Sequence, residues 1–379
     1  MQLARDVASF SAAEADELRR AMGAKRSTAK MRRLAKRFFE GAAANGLDRD
    51  LAIRVFEQIH AFAGYGFPEA HSMAFALLVY ASAWFKRYYP AAFCAGLLRA
   101  QPMGFYTPQS LVADARRHGV TTHEPDLNRS LPHATLEPDP DSTGEVAVRL
   151  GLAGIRHVGT DIAEAIVADR DTNGPYRSIA ELTERVQLSK PVAEALATAG
   201  VFSALGPDRR QALWAAGAAA RTRAGHLPGI IGGTDAPALP GMSAFEVAAA
   251  DIWATGVTPD VHPIQFVRAH LDQLGAVPAG KLLDVTTGDR ILVGGAVTHK
   301  QRPATAGGIT FLNLEDETGM ANIIISVAAW KKFQNVLAKH SALVVRGIAQ
   351  VSQGSASIVA DKITALDLRG IAAPSRDFR

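Results

Sequence analysis

Cysteine is almost missing from this chain. Cys94 is the single one in 379 residues, and it lies in an apolar stretch, which excludes a disulfide framework and a cysteine zinc site. Apolar runs of membrane-spanning length are missing as well. The longest, Met73 to Phe85, has Ser82 as its only polar residue, and it is too short to cross a bilayer and too long for an ordinary strand. With no signal peptide either, a soluble cytoplasmic protein without membrane contact is expected. A strong charge imbalance is missing. The 41 Lys and Arg against 37 Asp and Glu leave +4, so any basic surface has to be local. Carboxylate pairs on a strand are missing too. Asp48-Arg49-Asp50 precedes a helical pattern, where capping explains it. Asp139-Pro140-Asp141 lies in a proline-rich loop, and Glu315-Asp316-Glu317 ends a strand and turns the chain. His118, His123 and His133 lie near Glu124 and Asp126 in no standard ligand spacing, and read as loop histidines. No metal site is expected.

What is present is organised around the apolar run. Gly64-Tyr65-Gly66-Phe67-Pro68-Glu69-Ala70-His71-Ser72 leads into it and Lys86-Arg87-Tyr88-Tyr89-Pro90 ends it. Cations favour a helix C-terminus and proline does not continue a helix easily, so the run is predicted to be a helix buried on most sides. Ser72 is a candidate N-cap, and Pro68 also suits a first helical position. The start reads either as the cap of a core helix or as a phosphate site beside the His71 imidazole. Upstream, residues 1–62 read as helices. Met31, Leu34 and Phe38 recur at helical spacing, with Arg32, Arg33, Lys36 and Arg37 on the opposite side of the wheel. From Arg19 to Arg37 there are nine Lys or Arg and no acid, for the most part a solvated helix face.

Downstream, residues 108–118 make a short helix, and Pro125 to Asn128 and Pro132 to Gly144 read as irregular connection. Val146, Val148 and Leu150 alternate like a strand. Gly151-Leu152-Ala153-Gly154-Ile155-Arg156-His157-Val158-Gly159-Thr160 follows, then the helical pattern Ile162, Ala163, Ile166, Val167. This reads as an ordinary helical hairpin or as a helix-hairpin-helix, whose tight turn presents backbone N–H groups to a DNA phosphate without regard to base sequence. His157 stands where such a turn has its first glycine, which requires a left-handed backbone that His adopts at some cost. A second, degenerate unit is placed at Ser178 to Ala204, with Leu188-Ser189-Lys190 at its turn. Arg221 to Met242 is rich in Pro and Gly and reads as a linker. Residues 243–287 carry short helical patterns, including Phe266 to Leu274, and read as an adapter. Then come strand candidates Ile291 to Thr298, Ile309 to Leu314 and Ala321 to Val327, a helix Ala328 to Lys339, and strands Leu343 to Val351 and Ser357 to Ile363. Five strands with one helix between the third and fourth is the order of an OB-fold. Its first long loop is read as carrying His299, Lys300, Gln301 and Arg302. Leu312 and Leu314 would fill the barrel, leaving Phe311 to face outward and stack on a base or, with a register shift, to turn coreward.

Gly64 to Leu98 resembles the fingers of the bacterial C-family DNA polymerases, the polymerase III alpha subunits and their error-prone paralogues. Gln101 to Val120, QPMGFYTPQSLVADARRHGV, is similar to the error-prone branch. The family usually has Ser where this chain has Ala70. Leu18-Arg19-Arg20-Ala21-Met22-Gly23 resembles a fingers motif whose paired arginines contact the incoming triphosphate, and Gln301 to Ala306 with Phe311 to Gly319 resembles the family's C-terminal OB domain. The resemblance implies fingers at 1–120, a helix-hairpin-helix region at 121–223, linker and adapter at 224–287, an OB-fold at 288–368 and a tail at 369–379. It implies nucleotide contacts by Arg19, Arg20, Lys25, His71 and Ser72. The expected DNA contacts are Gly154, Ile155, Arg156, His157, Val158, Gly159, Thr160, Lys300, Arg302 and Phe311. The fold class is multidomain: mainly α-helical fingers and helix-hairpin-helix, then an all-β five-stranded barrel with one helix.

The implied function is that of the C-terminal part of an error-prone polymerase subunit, in damage-induced translesion replication. The implied partners are primer-template and single-stranded DNA, a deoxynucleoside triphosphate, the sliding clamp and translesion accessory proteins. In the family the carboxylates that hold magnesium sit in a palm upstream of the fingers. No catalytic residue, cofactor or Mg2+ site is therefore expected in this chain, and it is expected to be inactive alone. The alternative is a non-enzymatic single-stranded DNA-binding module.

Overall fold

The computed structural model describes residues 2–22, 28–64, 69–104, 106–220, 236–303, 306–368 and 376–378. The chain divides into two compact units, 1–84 and 85–379.

The first unit is helical: α1 (Gln2–Ala8), α2 (Ala12–Met22), α3 (Thr28–Ala44), α4 (Arg49–Gly64) and most of α5 (Glu69–Tyr88). Met31, Leu34 and Phe38 form one stripe on α3, and all three are buried with Leu18, Phe56 and Ile59. Phe38 is the hub, its ring 5.3 Å from that of Phe56 and 6.1 Å from that of Phe10. On the far side Arg32, Arg33 and Lys36 are exposed, as the wheel predicts. Arg37 is half-buried. It donates to the Ala8 and Ser9 carbonyls, closing the end of α1, and pairs with Glu14 at 3.0 Å. The Asp48 carboxylate accepts from the backbone N–H of Asp50 at 3.0 Å, which is the capping role its position suggests.

The apolar run does form a helix, but the expected burial is overturned. Residues 71–80 are all exposed; Leu77 is 70% and Tyr80 73% exposed. Ser72 is the fourth residue of α5, so it is not the N-cap. The alternative first residue, Pro68, and the Tyr65 to Phe67 turn lie outside the described residues.

The second unit starts with α6 (Pro90–Arg99) and α7 (Pro108–Arg117), the latter capped by Thr107, whose side chain accepts from the Ser110 N–H. Strands β1 (Thr122–His123), β2 (Thr135–Pro138) and β3 (Val146–Arg149) form a small sheet in the order β1-β3-β2. β2 corrects the reading of 132–144 as irregular. Its register on β3 is fixed by a long-range pair, Arg149 to Glu137 at 2.7 Å, which local propensity does not register. Next come α8 (Gly159–Asn173), α9 (Ile179–Arg185), α10 (Lys190–Thr198) and α11 (Arg209–Ala219), packed around Leu152, Ile166, Tyr176, Leu196 and Phe202. Of the expected linker, 221–235 lies outside the described residues.

The adapter contributes α12 (Ala244–Thr255), opened by a Ser243–Glu246 capping box and closed by left-handed Gly256, and α13 (Arg268–Gln273). Arg209 on α11 ties this region together, reaching Asp251 of α12 at 2.5 Å and Glu124 at 2.6 Å. Burial still pushes the Asp251 carboxyl up to about 6 despite the guanidinium beside it.

The barrel is made of β4 (Arg290–Gln301), β5 (Thr310–Glu315), β6 (Met320–Ile325), β7 (Ala342–Ser352) and β8 (Ser355–Ala365), with α14 (Val327–Lys339) between β6 and β7. The neighbour order β5-β6-β8-β7-β4 closes through β4 on β5. Alternation fills it: Leu312, Leu314, Ile323, Ile325, Val345 and Ile358 are all buried. A bulge between Arg346 and Gly347 bends β7. A Cβ at Gly347 would stand 2.3 Å from the Val359 carbonyl oxygen, so only glycine permits that approach. Val327 starts the helix rather than ending the strand. A ninth strand, β9 (Arg376–Phe378), which sequence alternation missed, lies parallel on β4, inside the segment read as a tail; 369–375 lie outside the described residues.

Candidate nucleic-acid interface

The hairpin turn is built by burying every third residue. Ile155 and Val158 are 2% and 4% exposed, and their N–H groups donate to Leu152 and Ile155 carbonyls. They anchor the turn and offer neither side chain nor N–H to a ligand. Gly154, Arg156, His157, Gly159 and Thr160 are exposed. His157 has φ +66° and Gly159 φ +68°, so the left-handed backbone anticipated at His157 is present. The N–H groups of Gly159 and Thr160 open α8 without intrahelical acceptors, next to the exposed Asp161 in the same turn.

The helix starts in this region fall into two kinds. α9 and α11 are closed by Ser178 and Asp208, whose side chains accept from Glu181 and Gln211 N–H groups. α8 and α10 have Val158 and Ser189 as N-caps with no side-chain cap bond; α8 follows a tight turn, whereas α10 follows an extended Ser189 and carries proline in its first turn. An open helix start can accept a phosphate. The degenerate second unit is expected to turn at Leu188-Ser189-Lys190, but Ser189 is extended and Lys190 already opens α10.

Arg156 is exposed and is held in place by the protein itself. Its N–H donates to the Ala254 carbonyl at 2.7 Å, its Nε to the Trp253 carbonyl at 3.0 Å, and its guanidinium lies 4.8 Å from the Trp253 ring. It closes the end of α12, a tie between residues 97 apart in sequence that no local pattern reveals.

On the barrel, His299, Lys300 and Gln301 belong to strand β4, correcting their placement in a loop; Arg302 follows the strand. His299 is 5% exposed. Lys300 donates its ammonium to the Leu337 carbonyl at 3.4 Å, at the negative end of α14. Arg302 is exposed, its guanidinium 5.1 Å from the Trp330 ring. The register decides Phe311: it pairs with Gln301 and Ile324, and at 39% exposure faces outward while Leu312 and Leu314 fill the core. Beside it Asn313 donates to Asn322 at 2.7 Å, giving β5 and β6 a polar and aromatic outer face.

In the first unit Arg19 and Arg20 stand exposed at the end of α2, and both hold Asp16, at 2.9 and 2.7 Å. The Arg19 hydrogen bond keeps the Asp16 carboxyl below its ordinary value. His71 lies in the first turn of α5, its ring 4.4 Å from that of Phe75. Lys25 lies outside the described residues.

The acidic run at the end of β5 is structural. Glu315, 1% exposed, accepts from Ser110 at 2.9 Å and Arg117 at 3.0 Å. Asp316 and Glu317 hold Arg268, and Asp316 also accepts from the N–H groups of Ala279, Thr318 and Gly319. Among the described residues no group of His, Cys, Asp and Glu is arranged to hold a metal, and no helix is long and apolar enough to cross a membrane. Cys94 is buried, and burial lifts its thiol to about 12, so it is not a nucleophile.

Comparison with known proteins fits this sequence of parts. Residues 1–46 match the bacterial DNA polymerase III alpha subunit finger domain family, 119–212 a helix-hairpin-helix motif and 291–366 the OB-fold nucleic acid binding domain. The whole chain is 59% identical to an error-prone DNA polymerase of Nocardia farcinica, 56% to that of Mycolicibacterium paratuberculosis and 51% to that of Corynebacterium glutamicum. Along its whole length the chain is similar to one part of these error-prone DNA polymerases. It covers 33–35% of the length of these three relatives. The two nucleic-acid-binding families fall on the regions with the open helix starts and the outward Phe311.

Proposed function

We propose that these 379 residues are the nucleotide- and DNA-gripping part of an error-prone DNA polymerase acting in damage-induced translesion replication. The observation that carries this is the order of finger, helix-hairpin-helix and OB-fold families along one chain similar throughout to such polymerases. Arg19 and Arg20 exchange Asp16 for the triphosphate of the incoming nucleotide, where guanidinium groups give bidentate contacts, with Lys25, His71 and Ser72 completing that pocket. The open starts of α8 and α10 hold the DNA backbone through N–H groups. Phe311 and Arg302 on the barrel take an unpaired strand by stacking and charge. The exposed apolar α5 is covered by the remainder of the polymerase. The sliding clamp and translesion accessory proteins are the proposed partners of the assembled enzyme.

The described residues do not fit catalytic magnesium. Magnesium requires hard oxygen ligands a few ångströms apart, and Glu315, Asp316 and Glu317 are consumed by Arg117, Ser110 and Arg268. Asp139 accepts from the Asp141 N–H and lies 3.1 Å from His123. No step is therefore assigned to a metal in this chain. The test is primer extension with all four nucleotides and magnesium or manganese. The chain alone should not extend a primer; with a fragment supplying the carboxylates it should, and Arg20→Ala should then lower kcat/KM by about tenfold to a hundredfold, the loss of one charged hydrogen bond. Extension by the chain alone that is abolished at Asp316 or Asp139 overturns the assignment of catalysis elsewhere. DNA binding with no activity in any combination would favour a stand-alone single-strand binder.

A further inference from the structure

We infer that Trp253, on the adapter helix and outside the matched helix-hairpin-helix segment 119–212, is a DNA-contacting residue: its ring stacks on an unpaired base next to the phosphate held by the hairpin. The inference rests on the proposed DNA-gripping role and adds a single-strand preference to a motif that by itself reads only backbone.

The placement is unusual for a packing residue. α12 packs with Ala248, Asp251 and Ala254, and Trp253 is off that face with 42% of its surface exposed. Nor does the ring hold the helix in place. The tie between hairpin and α12 runs through main-chain oxygens of Trp253 and Ala254, which accept from Arg156 Nε and N–H at 3.0 and 2.7 Å. Any side chain at 253 would leave those acceptors in place. What the tie does is fix the ring against the hairpin. The Arg156 guanidinium lies 4.8 Å from its centroid, and the exposed His157 ring lies 6.4 Å away at 61°. His157 reaches that position from a left-handed backbone, φ +66°, a conformation that costs a non-glycine residue energy and persists where the surroundings fix it.

The chemistry of the cluster is that of single-strand surfaces: a π-face, a cation against it and, three residues beyond that cation, the backbone N–H donors that open α8. Backbone donors at the start of α8 hold duplex and single strand alike. The exposed part of the indole beside them adds affinity only for a base that is not paired and stacked in a duplex. The ligand is thus a single strand, or the single-stranded side of a primer-template junction.

The experiment uses the full chain with Trp253→Ala and Trp253→Phe, and two fluorescein-labelled DNAs, a blunt duplex and the same duplex with a single-stranded overhang. Anisotropy should show wild type favouring the overhang. Trp253→Ala should lose about tenfold or more on the overhang, the equivalent of one base stack, with blunt-duplex affinity unchanged and the same unfolding midpoint. Trp253→Phe should retain most of the preference, and its tryptophan emission should be quenched less by the overhang DNA than that of wild type. Equal loss on both DNAs, an unchanged preference in Trp253→Ala, or no preference in wild type each overturn the inference while leaving the hairpin as a phosphate site. A wild-type chain that binds neither DNA overturns the functional reading itself. If Trp253→Ala does not fold, the quenching of Trp253→Phe decides.

Discussion

The barrel and α5 are both built mainly from apolar residues and end in opposite states. Leu312, Leu314, Ile323 and Ile325 are at most 1% exposed, while Met73, Leu77, Leu78 and Tyr80 range from 61% to 73%. The strands carry their apolar residues at a period of two, so closing the sheet through β4 on β5 puts one whole face inside. α5 is apolar on all sides, and such a helix requires surroundings on all sides. A closed sheet supplies its own partners. A helix of this kind draws them from other segments.

The largest expected effect is at the seam where the barrel meets α7. Arg117→Ala strips the partner from buried Glu315 and should cost about 3–5 kcal/mol, the scale for orphaning one member of a buried pair. Burial already raises the Glu315 carboxyl, with Arg117 and Ser110 acting against the rise. A raised carboxyl contributes most below the unfolded pKa, and that contribution is lost as pH rises through the folded one. Without Arg117 the folded value climbs further, so the variant's cost should be smallest at acid pH and grow toward neutral. Denaturant titrations across pH measure this; a pH-independent cost would mean that Glu315 is not held as a buried charge.

The next experiment addresses the contrast directly. Leu312→Ala in the barrel should cost about 2–5 kcal/mol, and Leu77→Ala on α5 less than about 0.5 kcal/mol in the chain alone. Equal losses would mean that α5 is covered in solution by a second copy or another segment, and sedimentation would identify which. A cost at Leu77 that appears only after the rest of the polymerase is supplied would sharpen the comparison.

The smallest effects belong to the outer face of the barrel. Phe311→Ala should leave stability nearly unchanged and weaken single-stranded DNA binding by about 1–3 kcal/mol. Arg302→Ala should lower the slope of log affinity against log salt by about one. Lys300→Ala should leave that slope unchanged, because its ammonium sits on the Leu337 carbonyl; an equal change for both residues would return Lys300 to the DNA.

Much of the site was legible where the signal is local. A Gly-rich turn between a strand and an amphipathic helix marked the hairpin. Its departure from pattern, His157, is the residue found with a left-handed backbone. Alternation at Leu312 and Leu314 set the outward alternative for Phe311, and the register realises it. The residues that sequence reasoning misplaced are those whose partners lie far along the chain. Arg156, assigned to DNA, also closes α12, a tie that its local sequence did not show. Lys300 was assigned to a loop and lies in β4 against the end of α14. Trp253 carried no sequence signal at all, since a single tryptophan in a short helix reads as packing.

By itself, then, the sequence determined the succession of parts: helical fingers, paired helical hairpins and a five-stranded barrel with its helix after the third strand. Periodicity, capping residues and turn glycines are written within a few residues of where they act. Tertiary structure alone decided which side chains remain available. Whether a cation faces solvent or a carbonyl, whether an acidic run is open or clasped by Arg117 and Arg268, and whether an apolar helix is covered all depend on groups distant in the chain. Those distances are closed only by packing, and no local pattern encodes them.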